Sequence, residues 1–172
     1  MKYRSEDDKY YGVAGMAIGL SIFDATELFT GIDLDADGFD CIRFAPEFYF
    51  AGNPRVSAKE AWQEMYTHYQ ISMGLVIANT MCRKMVLDRG VVDRKLRSML
   101  LNAICDEGKE LCQLEKDEVK PIFDRYFSHL MRVFSNAGIC NAITEMVELL
   151  KAQRTFTRAE ITDMLQALSI VE

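Results

Sequence analysis

Ile71-Ser72-Met73-Gly74-Leu75-Val76-Ile77-Ala78-Asn79-Thr80-Met81-Cys82 is a run of twelve residues without a single charge. It continues a helix that opens at Ser57-Ala58-Lys59-Glu60. Those four residues form a capping box, in which the serine hydroxyl and the glutamate carboxylate satisfy orphan amide donors of the first turn reciprocally. The first half of this helix is amphipathic, with Trp62, Met65, Tyr66 and Tyr69 on one broad face. The second half is apolar nearly all round, and a helix that is apolar on every side is buried on every side. The segment from Ser57 to about Asp88 is therefore predicted to be the centre of a helical bundle.

Downstream, Gly90 marks a break and Asp93 is placed to cap the next helix. Leu96, Met99, Leu100, Ala103 and Ile104 recur at helical spacing, and Leu111 keeps the stripe past Gly108, taking the helix to about residue 114. Asp117 is the expected cap of a further helix, with Pro121 in its first turn, where proline is tolerated. Val119, Phe123, Tyr126, Phe127, Leu130 and Phe134 form its inner face. Asn136-Ala137-Gly138 reads as its end, the glycine supplying a left-handed C′ residue. Ile139–Gln153 is a helix with Ile143, Met146, Val147 and Leu150 inward. Thr157-Arg158-Ala159-Glu160 is a second capping box, flanked by Phe156 and Ile161 at hydrophobic-staple positions. Ile161, Met164, Leu165 and Leu168 then bury the last helix.

Upstream, a helix is expected from Tyr10 to about Phe29, preceded by a frayed polar end at residues 1–9. It carries glycines at 12, 15 and 19 near one face. Each costs close to 1 kcal/mol in a helix interior, so the stripe points to close approach of another backbone inside the bundle. Gly15 and Gly19 have the spacing of a membrane helix dimer, but the apolar span is too short for a bilayer.

The expected fold is all-α: one domain over residues 1–172, a bundle of five or six helices, and a long irregular loop over about 30–56. A chain of 172 residues suffices for a single domain without disulfides or a metal. Apolar residues make up 49% and charged residues 27%, which suits a globular chain. The net charge of −6 provides no global attraction for nucleic acid or an anionic membrane. Most of it lies in residues 1–56, which hold ten acidic and five basic side chains. Glu6, Asp7 and Asp8 stand before the apolar run Tyr10–Phe23, where a signal peptide would carry positive charge. Cysteines at 41, 82, 105, 112 and 140 form neither a CxxC pair nor an even set. A reduced, cytoplasmic protein is expected.

Loops as long as residues 30–56 are often functional. The first half is Asp33-Leu34-Asp35-Ala36-Asp37-Gly38-Phe39-Asp40, and the second contains Phe44, Phe48, Tyr49 and Phe50. Residues 41–44 and 48–50 are placed to form a short hairpin around Pro46. The aromatic half is expected to lie against the bundle, since large aromatic side chains seldom stay in water. Asp33, Asp35, Asp37 and Gly38 match the start of an EF-hand calcium loop, DxDxDG, in which alternating carboxylates converge on one hard cation. The match ends there. The twelfth position is Phe44 in place of a bidentate Glu, and the eighth is Asp40 in place of an apolar residue. A divalent-cation site would use Asp33, Asp35 and Asp37, with Asp40 or Glu47 to complete it, and would bind calcium at roughly 10⁻⁴ to 10⁻³ M.

Other constellations are weaker. Glu60, Glu64 and His68 share one helix face, but the Glu-to-His spacing is four where di-iron bundles use three, and no carboxylate stands in the turn before His129. The cysteines carry no flanking signature of a nucleophile. Arg83, Lys84, Arg89, Arg94, Lys95 and Arg97 form the densest basic run, which suits a helix C-terminus or an anion site. The last helix presents Arg158 against Glu160 and Asp163, too little positive charge for DNA. The function expected is a non-enzymatic protein–protein interaction module that binds a protein partner or a second copy of itself through the aromatic loop or the glycine-striped helix; the alternative is a divalent-cation-binding (calcium-like) or metal-assisted protein built on the acidic loop.

Overall fold

Ser5 opens the first helix, α1 (Glu6–Ile22), by accepting a hydrogen bond from the Asp8 amide. Glu6, Asp7 and Asp8 fill the first turn, where the helix dipole favours negative charge. The helix thus starts four residues before the expected Tyr10. It stops at Ile22, well short of Phe29, because Asp24 turns into the left-handed region with φ 51°. The computed structural model describes residues 2–49 and 57–167. Within them lie seven helices and one small sheet.

α1 is buried without interruption from Gly12 to Leu20. It lies against α3 (Ala58–Met81), which has the expected capping box at Ser57 and Glu60. The glycine stripe is the reason the two helices can approach. A Cβ on Gly15 would stand 2.5 Å from the Cys82 Cβ and 2.7 Å from the Ala78 carbonyl oxygen. Gly12 and Gly19 face Asn79 and Leu75 in the same way. The Ile71–Cys82 run is buried as expected, although Ser72, Val76 and Thr80 are only half covered. It shares the centre of the bundle with α1. Beyond Met81 the helix widens into a π-helical segment, Cys82–Leu87.

The segment expected to be irregular contains a hairpin. β1 (Phe29–Asp33) pairs antiparallel with β2 (Ile42–Phe44), Ile32 opposite Ile42. Between them the acidic turn passes through Gly38, at φ 61°, and a 3-10 turn over Gly38–Cys41. The hairpin expected around Pro46 does not form, because Pro46 starts a four-residue helix, α2 (Pro46–Tyr49). Phe50 lies outside the described residues. On its other edge β1 pairs with β3 (Thr155–Thr157), Ile32 opposite Phe156, so the sheet ties the N-terminal hairpin to the last helix.

The other helices follow their apolar stripes with local shifts. α4 (Arg94–Cys112) is capped by Asp93 as expected. Its buried stripe is Leu100, Leu101, Ile104, Gly108 and Cys112, while Met99 and Leu111 face outward. α5 (Lys116–Phe134) is capped by Glu115, two residues before the expected Asp117, and Glu118 accepts the Glu115 amide at 2.8 Å. Pro121 therefore falls past the first turn. Asn136 caps α6 (Ala137–Ala152), accepting from the Gly138 and Ile139 amides, so Gly138 begins a helix instead of ending one. Ile143, Met146, Val147 and Leu150 are fully buried. At α7 (Arg158–Ala167) the Thr157 and Glu160 capping box forms, with Phe156 and Ile161 buried. Leu168 lies outside the described residues. None of the described helices is long and apolar enough to cross a membrane.

Candidate functional site

The three aspartates of the acidic turn each meet a different cation, supplied by a different part of the chain. Asp33 pairs with Arg43 across the hairpin and accepts the Asp35 amide at 2.9 Å. That amide, helped by Arg43, holds the Asp33 carboxyl below the usual aspartate range. Asp35 accepts from Arg154 Nε at 2.6 Å, and the Arg154 guanidinium also bonds the Leu34 carbonyl. Asp37 lies 3.8 Å from the ammonium of Lys9, whose side chain is buried on α1. Asp40 and Glu47 are exposed, Glu47 on α2. Phe44, at the twelfth position, is buried in β2 and stacks on Phe48 at 3.9 Å. Among the described residues no three His, Cys, Asp or Glu side chains are arranged to hold a metal ion. The mutual repulsion of the carboxylates is thus relieved by the protein's own cations.

A second charged cluster escaped the sequence reading because residues 1–9 read as a frayed end. Asp8 is 1% exposed. It accepts from the Arg4 amide and Nη2, both at 2.8 Å, and from Arg83 Nε at 2.8 Å and Nη2. Arg4 also makes a two-pronged contact with Asp88 at 3.0 and 3.2 Å. Burial alone would raise the Asp8 carboxyl, but the hydrogen bonds from Arg83 and Arg4 outweigh it and hold the group well below the usual range. Tyr3 lies under the Arg83 guanidinium, accepts from Asn79 Nδ2 at 3.1 Å and donates to the Gly38 carbonyl at 3.2 Å. Burial pushes its phenol up to about 12. The three acidic residues before an apolar helix were the available signal.

The remaining candidates stay apart or are occupied. Glu60 belongs to the α3 cap, and His68 stacks at 4.8 Å on Phe48, where burial lowers its pKa. His129 is exposed on α5. All five cysteines are free, and burial raises the thiols of Cys41, Cys82, Cys105 and Cys112, which leaves them protonated and weakly nucleophilic. In the basic run, Arg83 is taken by Asp8, and Arg97 pairs with Asp124 while lying over the Phe123 and Phe127 rings.

One surface stands out by exposing what a bundle normally covers. Trp62 and Tyr66 stack face to face at 5.1 Å, and the indole N–H reaches the Cys112 carbonyl at 3.4 Å. Trp62 remains 41% exposed and Met65 37%, with Leu111, beside Cys112, at 51%. One turn along α3, His68 leads through Phe48 to Tyr49, which is 61% exposed.

Two outcomes are expected. A dication must displace Arg43 and Arg154 to gather the three carboxylates, so melting in calcium, magnesium or EDTA is expected to give one common midpoint. A midpoint raised by calcium, and lost in an Asp35→Asn, Asp37→Asn double variant, would show the turn opening around an ion. Folding lowers the Asp8 pKa, so its contribution to stability is complete above the unfolded aspartate value of about 4 and is lost as pH falls below it. Asp8→Asn should cost about 3 kcal/mol at neutral pH, by stranding Arg83, and flatten the acid limb of a denaturation-versus-pH series. An unchanged acid limb would remove Asp8 from this role. Compared with known protein families, characterised proteins and solved structures, the chain matches none of them.

Proposed function

We propose that this protein is a non-enzymatic interaction module that pairs with a second copy of itself through the Trp62 face. The observation that carries this is the exposure of Trp62, Met65 and Leu111, with half-buried Tyr66 stacked on Trp62, where the Trp62 indole reaches the end of α4. Large exposed apolar side chains grouped in this way mark contact sites, and Trp, Tyr and Met are the residues enriched in them. The stacked Trp62 and Tyr66 rings are already held in place, so little side-chain entropy is lost on association.

The rim favours a like partner. Lys59, Glu60 and Glu64 on α3, with Lys109 and Glu110 on α4, bring both signs of charge to the same region. Across a two-fold axis a patch meets its own copy, so a rim of mixed sign can pair where a rim of one sign would repel. The two contact surfaces expected from the sequence are largely used within the fold: the glycine stripe meets α3, and Phe44 and Phe48 of the aromatic segment are buried. The alternative of a divalent-cation protein rests on Asp33, Asp35 and Asp37 releasing Arg43 and Arg154, and the calcium melt decides it.

Sedimentation velocity over a concentration series tests the pairing. Wild type is expected to shift from monomer to dimer, and Trp62→Ala with Met65→Ala to weaken the dimer roughly tenfold or more. A wild type that stays monomeric throughout, or a dimer indifferent to the double variant, would refute it.

A further inference from the structure

At the other end of α3 the chain builds a small basic cleft of about 380 Å³ between the π-helical segment and the start of α4. Arg4, Arg83, Lys84 and Lys95 line it together with Asp88 and Asp93. The two carboxylates are already engaged. Asp88 takes both terminal nitrogens of Arg4, and Asp93 caps α4 through the Leu96 amide at 2.7 Å. Arg83 is likewise held by Asp8. Lys84 and Lys95, by contrast, form no ion pair among the described residues. Asp93 keeps its negative charge while it caps α4, so the cleft is not uniformly basic: its unpaired cations are these two ammonium groups, beside the positive end of the α4 dipole.

The backbone at Lys84 is fixed by the loop that follows it. After the π-helical segment, Arg89 adopts a left-handed conformation with φ 49°, and the Gly90 amide donates to the Lys84 carbonyl at 2.9 Å. This folds the loop back so that the lysine stem lies over Gly90. A Cβ at that position would stand 2.9 Å from Lys84 Cε and 3.0 Å from Nζ. A side chain at residue 90 would push the flexible end of this lysine aside. Short π-helical insertions of this kind are frequent at functional sites, where they re-aim side chains. Leu96 and Met99 give the cleft an apolar edge beside the ammonium groups.

We propose that this cleft binds the phosphoryl group of a small phosphate ester. The phosphate oxygens accept from Lys84 and Lys95, and the organic part rests against Leu96 and Met99. An ammonium is a compact point charge suited to phosphate, and the cleft, at about 380 Å³, has room for a small phosphorylated molecule. The site is independent of the Trp62 face.

Isothermal titration with inorganic phosphate and with a nucleoside monophosphate tests this, against chloride at matched ionic strength. Saturable one-site binding of either phosphate probe, absent with chloride, is expected. A tighter monophosphate is expected, and equal affinities would overturn the contact assigned to Leu96 and Met99. Lys84→Ala with Lys95→Ala should weaken binding by roughly a hundredfold, about tenfold for each charge-assisted contact. Gly90→Ala keeps every charge but pushes the flexible end of Lys84 aside, so it should weaken binding several-fold while the far-ultraviolet spectrum stays native. Absence of saturable binding, or binding unchanged in the double lysine variant, would overturn the proposal. An effect of the double variant with none from Gly90→Ala would overturn the positioning of Lys84.

Discussion

The structure depends on how closely α1 and α3 approach. Gly15 against Ala78 and Cys82 leaves no room for a methyl group, and Gly12 and Gly19 extend the contact one turn each way. Close approach lets backbone pack on side chain along most of α1, and burial of apolar surface is the main favourable term in folding. It also creates a difficulty at the N-terminal end, where the first turn of α1 brings Asp8 into the interior. An unpaired buried carboxylate would cost several kcal/mol. Arg83, in the π-helical segment that continues α3, meets it, and Arg4 closes the other side.

Much of this was legible in residue order because helices advertise themselves locally. The Ser57 and Thr157 caps, the Asp93 cap and the inner faces of α5 and α6 lie where a 3.6-residue period and short-range hydrogen bonds put them. The glycine stripe was readable as an interhelical contact, though not which helix it meets. What escaped depended on partners far along the chain. β3 is three residues long and becomes a strand only because Phe156 finds Ile32. Arg154 lies 119 residues from Asp35 in the chain, so the DxDxDG pattern had no visible counter-charge. The α4 stripe is rotated from its expected line because buried Gly108 adjoins the Tyr69 hydroxyl, which donates to the Ile104 carbonyl at 2.9 Å.

The same ionic bookkeeping separates scaffold from surface. Asp8, Asp33, Asp35 and Asp88 hold elements together through arginines, and Asp93 caps a helix. Two features are left over once these are taken up: the Trp62 face near the start of α3 and the lysines beyond its end. At about 1.5 Å per residue they lie roughly 30 Å apart along one helical axis. Variants at one are therefore expected to leave the other intact.

If the α1–α3 contact sets the fold, chemical denaturation of Gly15→Ala should show it. Alanine is the better helix former by close to 1 kcal/mol, so a helix free of close neighbours would gain stability. Here the added methyl meets the Ala78 carbonyl and the Cys82 side chain. The account predicts a net loss of roughly 2 kcal/mol from overpacking that the backbone cannot relieve. Stability equal to or above wild type would contradict the close contact on which the rest of the structure is built.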